Sequence, residues 1–310
     1  MSEFWPEQLI EILGERRGIV FLGAGASISA TTGGAKGDTN TVNEDEYSSV
    51  NPNCSALPKT YTPMPTWRGL LETLGDKYKN LHNCDDSLLC ELNESIEHNH
   101  LTHAAEIIST VLEPSVIRAV IKREFGGNRT LNEELYEKVA LIDQPVVMTT
   151  NYDQMYEKYW DKFSENFAKL EDFCVRSYLD SDIVAPLREP RSRVYLKLHG
   201  CVNLPDKIIL SKSDYNFARQ RHSQFFQIVS SLMLTRTIVF IGSGLDGDPD
   251  IELLLQDAAF VGSSTLPHYA LMKGPVSPVK KEHLKNTANI VILEYSADAG
   301  GGAFQHVEGY

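Results

Sequence analysis

Apolar positions change their period several times along the chain, and each change marks an element. Residues 7–17 (EQLIEILGERR) set Leu9, Ile12 and Leu13 on one face at three- and four-residue spacing, which predicts a short amphipathic helix. GIVFL then forms a continuous apolar run, read as a short strand entering the turn GAGAS. Residues 29–64 lose apolar periodicity and fill with Gly, Ser, Thr, Asn and Pro, which predicts a long, mobile polar loop, functional or disordered. Helical spacing returns in TWRGLLETLGDKY, LTHAAEIISTVL and PSVIRAVIKREF, so residues 66–142 are expected to form an inserted helical module.

Strand signals follow in PVVMTTN, RVYLKLHG, KIILS, TIVFIGSG, HYALM and NIVILEY. Between them lie helical stretches such as DQMYEKYWDKF, HSQFFQIVSSLML and DPDIELLLQDAAF. Apolar strands alternating with helices predict an α/β fold, a doubly wound and mostly parallel sheet covered on both faces. The whole of 1–310 is expected to be one domain, with the helical module inserted in it.

Composition narrows the setting. A 42% hydrophobic fraction over 310 residues suits one large α/β domain. No apolar run approaches the roughly 20 residues of a membrane span. The N-terminus lacks the basic start, apolar core and cleavage site of a signal peptide. Cys54, Cys84, Cys90, Cys174 and Cys201 are scattered without a CxxC pair, which argues against a disulfide framework or zinc ribbon and for a reduced, cytoplasmic setting. A net charge of −13 disfavours sequence-independent binding to nucleic acid. The small basic clusters at Arg188–Arg193 and Lys273–Lys285 read as solvated surface, and so does the histidine group His98, His100 and His103, which has no carboxylate set to complete a metal site.

Ligands of such sheets bind beyond the carboxyl ends of the strands, so the residues just after each strand carry the candidate chemistry. Gly23, Ala24, Gly25 and Ser27 follow the first strand, where glycines allow a tight turn and let backbone N–H groups approach a pyrophosphate. Ile28 stands where a dehydrogenase fingerprint needs a third glycine, so an ordinary NAD(P) oxidoreductase is disfavoured. Thr149-Thr150-Asn151-Tyr152-Asp153 ends one strand and opens a helix, with capping as the plain alternative to catalysis. Alternation along RVYLKLHG sets His199 on the side of Tyr195 and Lys197, at a strand end where a base could work, although most lone histidines are structural. Gly242, Ser243, Gly244 and Asp246 form a second glycine turn, followed by Asp248-Pro249-Asp250 as a helix start. Two glycine turns in one sheet suit the two halves of a dinucleotide, while turn chemistry accounts for each separately.

In order, GAGAS, a helical insert, TTNYD, KLHG and GSGLDGDPD resemble the sirtuin superfamily, and most closely its bacterial sirtuin-like branch of NAD-consuming antiphage effectors. The resemblance runs over roughly residues 15–297 and takes in Pro65 and Trp67 of MPTWRGLLETL and the segment LSKSDY. It implies that Gly23, Ala24, Gly25 and Ser27 line the pyrophosphate and ribose of NAD+, that Asn151 and Asp153 sit at the nicotinamide ribose and nicotinamide pocket, and that His199 is the catalytic histidine. Gly242, Ser243, Gly244 and Asp246 would hold the adenosine half. The four-cysteine zinc module of deacylating sirtuins is missing, as are their short arginine-bearing cofactor segment and apolar acyl-lysine cleft.

The resemblance therefore implies an NAD+ hydrolase with catalytic Asn151 and His199, NAD+ as substrate and no metal, draining NAD+ in abortive infection. The implied assembly is a homo-oligomer, or one activated by an ATPase-like or Argonaute-like partner protein, without nucleic acid or membrane. A protein deacylase and a non-catalytic NAD+ or ADP-ribose sensor are the rival readings.

Overall fold

The computed structural model describes residues 4–32, 64–127, 133–163, 173–245, 255 and 266–296. Most of the polar loop, and Asp246 with the expected helix start after it, lie outside the described residues.

Among the described residues seven strands form one sheet: β1 (Gly18–Leu22), β2 (Val146–Thr149), β3 (Phe173–Ser177), β4 (Arg193–Lys197), β5 (Thr237–Ile241), β6 (His268–Lys273) and β7 (Ile290–Tyr295). Their order is β3-β4-β2-β1-β5-β6-β7, and every neighbouring pair is parallel. The central strands β1, β2 and β5 are buried at every position because both faces are covered. Val20 and Leu22 join one buried core with Val147, Tyr195, Val239 and Ile241, whereas Ile19 and Phe21 join a second with Val146, Leu196, Ile238 and Phe240. Period-two alternation thus divides the strands between two cores.

The helices sort onto these cores. Helix α1 (Glu7–Gly14) buries Leu9, Ile12 and Leu13, as its sequence pattern predicts. Helix α2 (Ala24–Thr32) follows β1 directly, and among the described residues five helices then precede β2: α3 (Trp67–Lys79), α4 (Asp86–Glu97), α5 (Leu101–Val111), α6 (Pro114–Phe125) and α7 (Glu133–Leu141). They bury their apolar faces in the first core, as does α8 (Met155–Phe163). The second core takes residues from α10 (Lys212–Arg221), α11 (Ser223–Thr235) and α12 (Pro278–Ala288), while the short α9 (Val184–Arg188) lies between β3 and β4.

Two strand assignments change. KIILS is not a strand: Ile209 and Leu210 are buried, and the Ile209 N–H goes to the carbonyl of His199 rather than to a ladder. Phe173–Ser177, without a strong apolar signal, is the edge strand instead, and it is only half-buried there. Within the Arg188–Arg193 cluster Arg188 and Arg191 are exposed as expected, but Arg193 departs from solvated surface. Arg193 is buried, donates to Ala140 O at 2.9 Å, pairs with Asp143 and lies 5.1 Å from the centroid of the Trp160 ring. Its planar cation is stacked and paired, the condition under which an arginine is buried.

The topology locates the crevice. From β1 the chain builds β2, β3 and β4 to one side, then crosses to β5 on the other. The carboxyl ends of β1 and β5 are therefore the switch point at which open α/β sheets bind ligands.

Candidate functional site

A cavity of about 820 Å³ opens at this switch point. It is within the range that holds a small-molecule ligand. Gly23, Ala24, Gly25, Ser27, Asn151, Asp153, His199, Gly242, Ser243 and Gly244 all line it, so residues from the ends of β1, β2, β4 and β5 converge on one space. Asp246 is outside the described residues.

The two glycine turns pack on each other. Gly23 donates its N–H to Ile241 O at 2.9 Å, and Gly25 donates to Gly242 O at 2.8 Å. A Cβ on Gly23 would stand 2.6 Å from Gly242 O, and one on Gly25 2.7 Å from the same oxygen. Gly242 itself has φ +67°, a left-handed conformation that favours glycine. The glycines thus bring backbone against backbone at the switch point.

Behind the turns lies a buried polar network. Ser27 Oγ donates to Asp153 Oδ2 at 2.6 Å, and Asp153 Oδ1 accepts from the Met155 N–H at 2.9 Å. Asp153, rather than Asn151 or a threonine, therefore caps the first turn of α8. Asn151 Nδ2 donates to Gly23 O at 2.9 Å and to Ser27 Oγ at 3.3 Å. The Asn151 N–H goes to Thr149 Oγ1, which in turn donates to Leu22 O. With its donors spent on the β1 turn, Asn151 offers the cavity an acceptor, Oδ1.

His199 is held from both sides. The N–H of Leu198 continues the sheet onto Thr149 O, and the carbonyl of His199 accepts from Ile209. Gly200 follows with φ +85°, and a Cβ there would lie 2.6 Å from Lys207 O, so the turn requires glycine. Tyr152 clamps the same segment by donating from its hydroxyl to Ile209 O at 2.8 Å. Ser211 and Asp214 form a capping box that starts α10, and this helix sets Tyr215 edge-on to the His199 ring at 6.3 Å between centroids.

Sequence reasoning missed the ion pair beneath the site. Lys197 is 1% exposed; its ammonium donates to Asp153 O and to Glu157 Oε1, the latter at 2.9 Å. Burial acts to lower the Lys197 pKa, but the Glu157 carboxylate and its neighbours outweigh it and hold the pKa above the usual value. Burial pushes the Glu157 carboxyl upward, against the pull of Lys197. The hint was available in the sheet itself: RVYLK is a strand of a sheet expected to be covered on both faces, where a lysine is buried only with a partner.

The cavity rim is cationic although the chain is acidic: Arg68, Lys212 and Lys280 line it. Pro65 and Trp67 line it as well, bringing the start of the α3 segment to the cavity. His98 and His103 lie elsewhere, exposed and bonded to Glu94 O and Glu91 Oε1. Among the described residues no group of three or more His, Cys, Asp or Glu is arranged to hold a metal ion. No helix among them is long and apolar enough to cross a membrane.

Part of the chain is similar to known proteins. Residues 145–293 match the SIR2-like domain family. The chain is 26% identical over 154 residues to a protein named NAD(+) hydrolase ThsA from Acinetobacter baumannii, covering 46% of this chain and 30% of that protein. It is 25% identical over 158 residues to NAD(+) hydrolase ThsA of Bacillus cereus, covering 51% of this chain and 31% of the relative. Over 196 residues it is 24% identical to defense-associated sirtuin 2 of Bacillus subtilis, covering 62% of this chain and 18% of the relative. The matched segments thus span under a third of each relative. The family match begins at β2, which leaves GAGAS outside it although the fold packs that turn against residues inside it. An all-parallel Rossmann-like sheet with a cavity at its switch point thus accompanies a match to the SIR2-like domain family over residues 145–293, and similarity to proteins named NAD+ hydrolases and to a defence-associated sirtuin.

Proposed function

We propose that this protein hydrolyses NAD+ to nicotinamide and ADP-ribose, and that it serves as an NAD+-depleting effector of bacterial antiphage defence. The observation that carries the reading is the convergence of Asn151, His199 and both glycine turns on one cavity at the β1/β5 switch point. The cationic residues Arg68, Lys212 and Lys280 suit a pyrophosphate, and the names of the distant relatives point the same way.

The chemistry asks little acid of the protein. Nicotinamide is bound to ribose as a cation and departs neutral, taking the electron pair of the broken bond. Water supplies the oxygen that bonds to the ribose carbon, and one proton is released. Asn151 Oδ1 accepts from a ribose hydroxyl or from the attacking water and so orients it. His199 takes the proton as general base, a role worth about a hundredfold to ten-thousandfold in rate. Ser27 and Asp153, whose side chains bond each other, act on the substrate through the position of Asn151. An enzyme that drains NAD+ must be silent until needed, so its activity is expected to depend on self-association or on a partner protein.

The test is incubation with NAD+ over a range of protein concentrations, with nicotinamide and ADP-ribose followed by chromatography and a His199→Ala variant alongside. Release by the wild type that the variant lacks is the expected result. NAD+ bound but left intact at every concentration, with the protein fully associated, overturns the proposal.

A further inference from the structure

The buried pair Lys197–Glu157 has no evident reason in stability. Taking both charges out of water costs several kcal/mol per ion, and well-packed apolar replacements of such pairs are often neutral or stabilising. Its place in the fold suggests another role. Lys197 is the last residue of β4 and pairs in register with Thr149, the last residue of β2. From there its ammonium reaches across to the main-chain carbonyl of Asp153, in the turn that carries Asn151. Glu157, in the first turn of α8, accepts from the same ammonium at 2.9 Å. Asp153 then binds Ser27, and Ser27 Oγ receives the Asn151 amide. Every step from Lys197 to Asn151 is thus a hydrogen bond or a short stretch of backbone within one turn.

We propose that Lys197, braced by Glu157, is a positioning residue: it fixes the 151–153 turn so that the Asn151 carboxamide keeps its NH2 on the β1 turn and presents Oδ1 to the cavity. The inference rests on the reading of Asn151 as a group that orients the reactants. An apolar side chain at position 197 could fill the same volume but could not hold the Asp153 carbonyl, and a catalytic group misplaced by about 1 Å loses roughly a hundredfold in rate.

Three variants separate positioning from stability: Lys197→Met, Glu157→Gln, and Lys197→Met combined with Glu157→Leu. Each is measured for thermal unfolding, for kcat and KM with NAD+, and for the Asn151 side-chain amide signals of asparagine-labelled protein by NMR. Lys197→Met alone leaves a buried carboxylate unpaired and lowers the melting temperature. The double variant recovers it, because no charge is left unpaired. The expected result is that the double variant nonetheless has kcat reduced about 100-fold, KM changed by less than about threefold and shifted Asn151 amide signals. Glu157→Gln, which keeps an acceptor beside Lys197, is expected to lose about tenfold, with the same split between kcat and KM. A double variant with the wild-type melting temperature, kcat and Asn151 signals overturns the proposal. Should it not fold, wild-type kcat and Asn151 signals in folded Glu157→Gln overturn it equally. Should the wild type release no nicotinamide, the functional reading fails, and the Asn151 signals alone decide whether the pair positions that amide.

Discussion

Ser27 donates its hydroxyl proton to Asp153 at 2.6 Å, joining two motifs separated by 126 positions in the chain. Both residues are nearly fully buried, at 2% and 4% exposure, so the bond is made away from bulk water. Removing the donor leaves a buried carboxylate oxygen unpaired and withdraws an acceptor from Asn151. Ser27→Ala is therefore expected to destabilise the fold by about 1–3 kcal/mol. Urea unfolding at neutral pH, compared with the wild type, measures the loss.

Asn151 responds differently to two small changes. Asn151→Ala removes Oδ1 from the cavity, and NAD+ cleavage is expected to fall at least about a hundredfold. Asn151→Asp keeps the shape but sets a carboxylate oxygen against Gly23 O, where an N–H now donates. Two acceptors facing each other in a part-buried place leave both without a proton between them. The aspartate variant is expected to be the less stable of the two, and paired melting curves at pH 7 check the order.

Glycine substitution distinguishes close approach from helix propensity. At Gly242 a Cβ would come within 2.4 Å of Ala26 N, and φ is +67°. Gly242→Ala is expected to destabilise by about 1–3 kcal/mol and to push the two turns apart, lowering NAD+ affinity. Gly75 lies inside α3, where the nearest atom to an added Cβ is Leu92 Cδ2 at 3.4 Å. Gly75→Ala is expected to stabilise by about 0.5–1 kcal/mol through helix propensity. Denaturant midpoints of the two variants should move in opposite directions.

His268 makes stability depend on acidity. Burial lowers its pKa from 6.5 to about 4, and its Nδ1 accepts from the Ile238 N–H at 3.1 Å, so the folded ring is neutral. Between these values the unfolded chain binds the proton and the folded chain does not. Stability from this group is therefore complete above the unfolded pKa and is lost as pH falls from about 6.5 toward 4, by on the order of 3 kcal/mol in all. His268→Asn keeps an acceptor without a titrating ring. Its unfolding free energy should fall less than that of the wild type between pH 7 and pH 5.

Local pattern alone determined much of this molecule. Runs such as GIVFL and TIVFI are buried at every position because both faces of a parallel sheet are covered, and the buried face of α1 follows from its spacing. The candidate residues were legible because glycines and polar groups stand where apolar strands stop, and the described ones line a single cavity. Their partners were not legible. KIILS has the composition of a strand, yet it lies beside His199 as a pinned segment, its Ile209 N–H on the His199 carbonyl and its Ile209 carbonyl on the Tyr152 hydroxyl. Lys197 and Glu157 look like ordinary surface charges in sequence, 40 positions apart, and only the packing of α8 against the β2 and β4 ends buries them together. Asp153 and Ser27 read as ligand contacts in sequence; both line the cavity, and only the fold shows that they also bond each other. Apolar periodicity reports which face a residue takes, which is a property of neighbours along the chain. Which polar group satisfies another is set by distances between remote segments, and only the folded sheet brings those segments together.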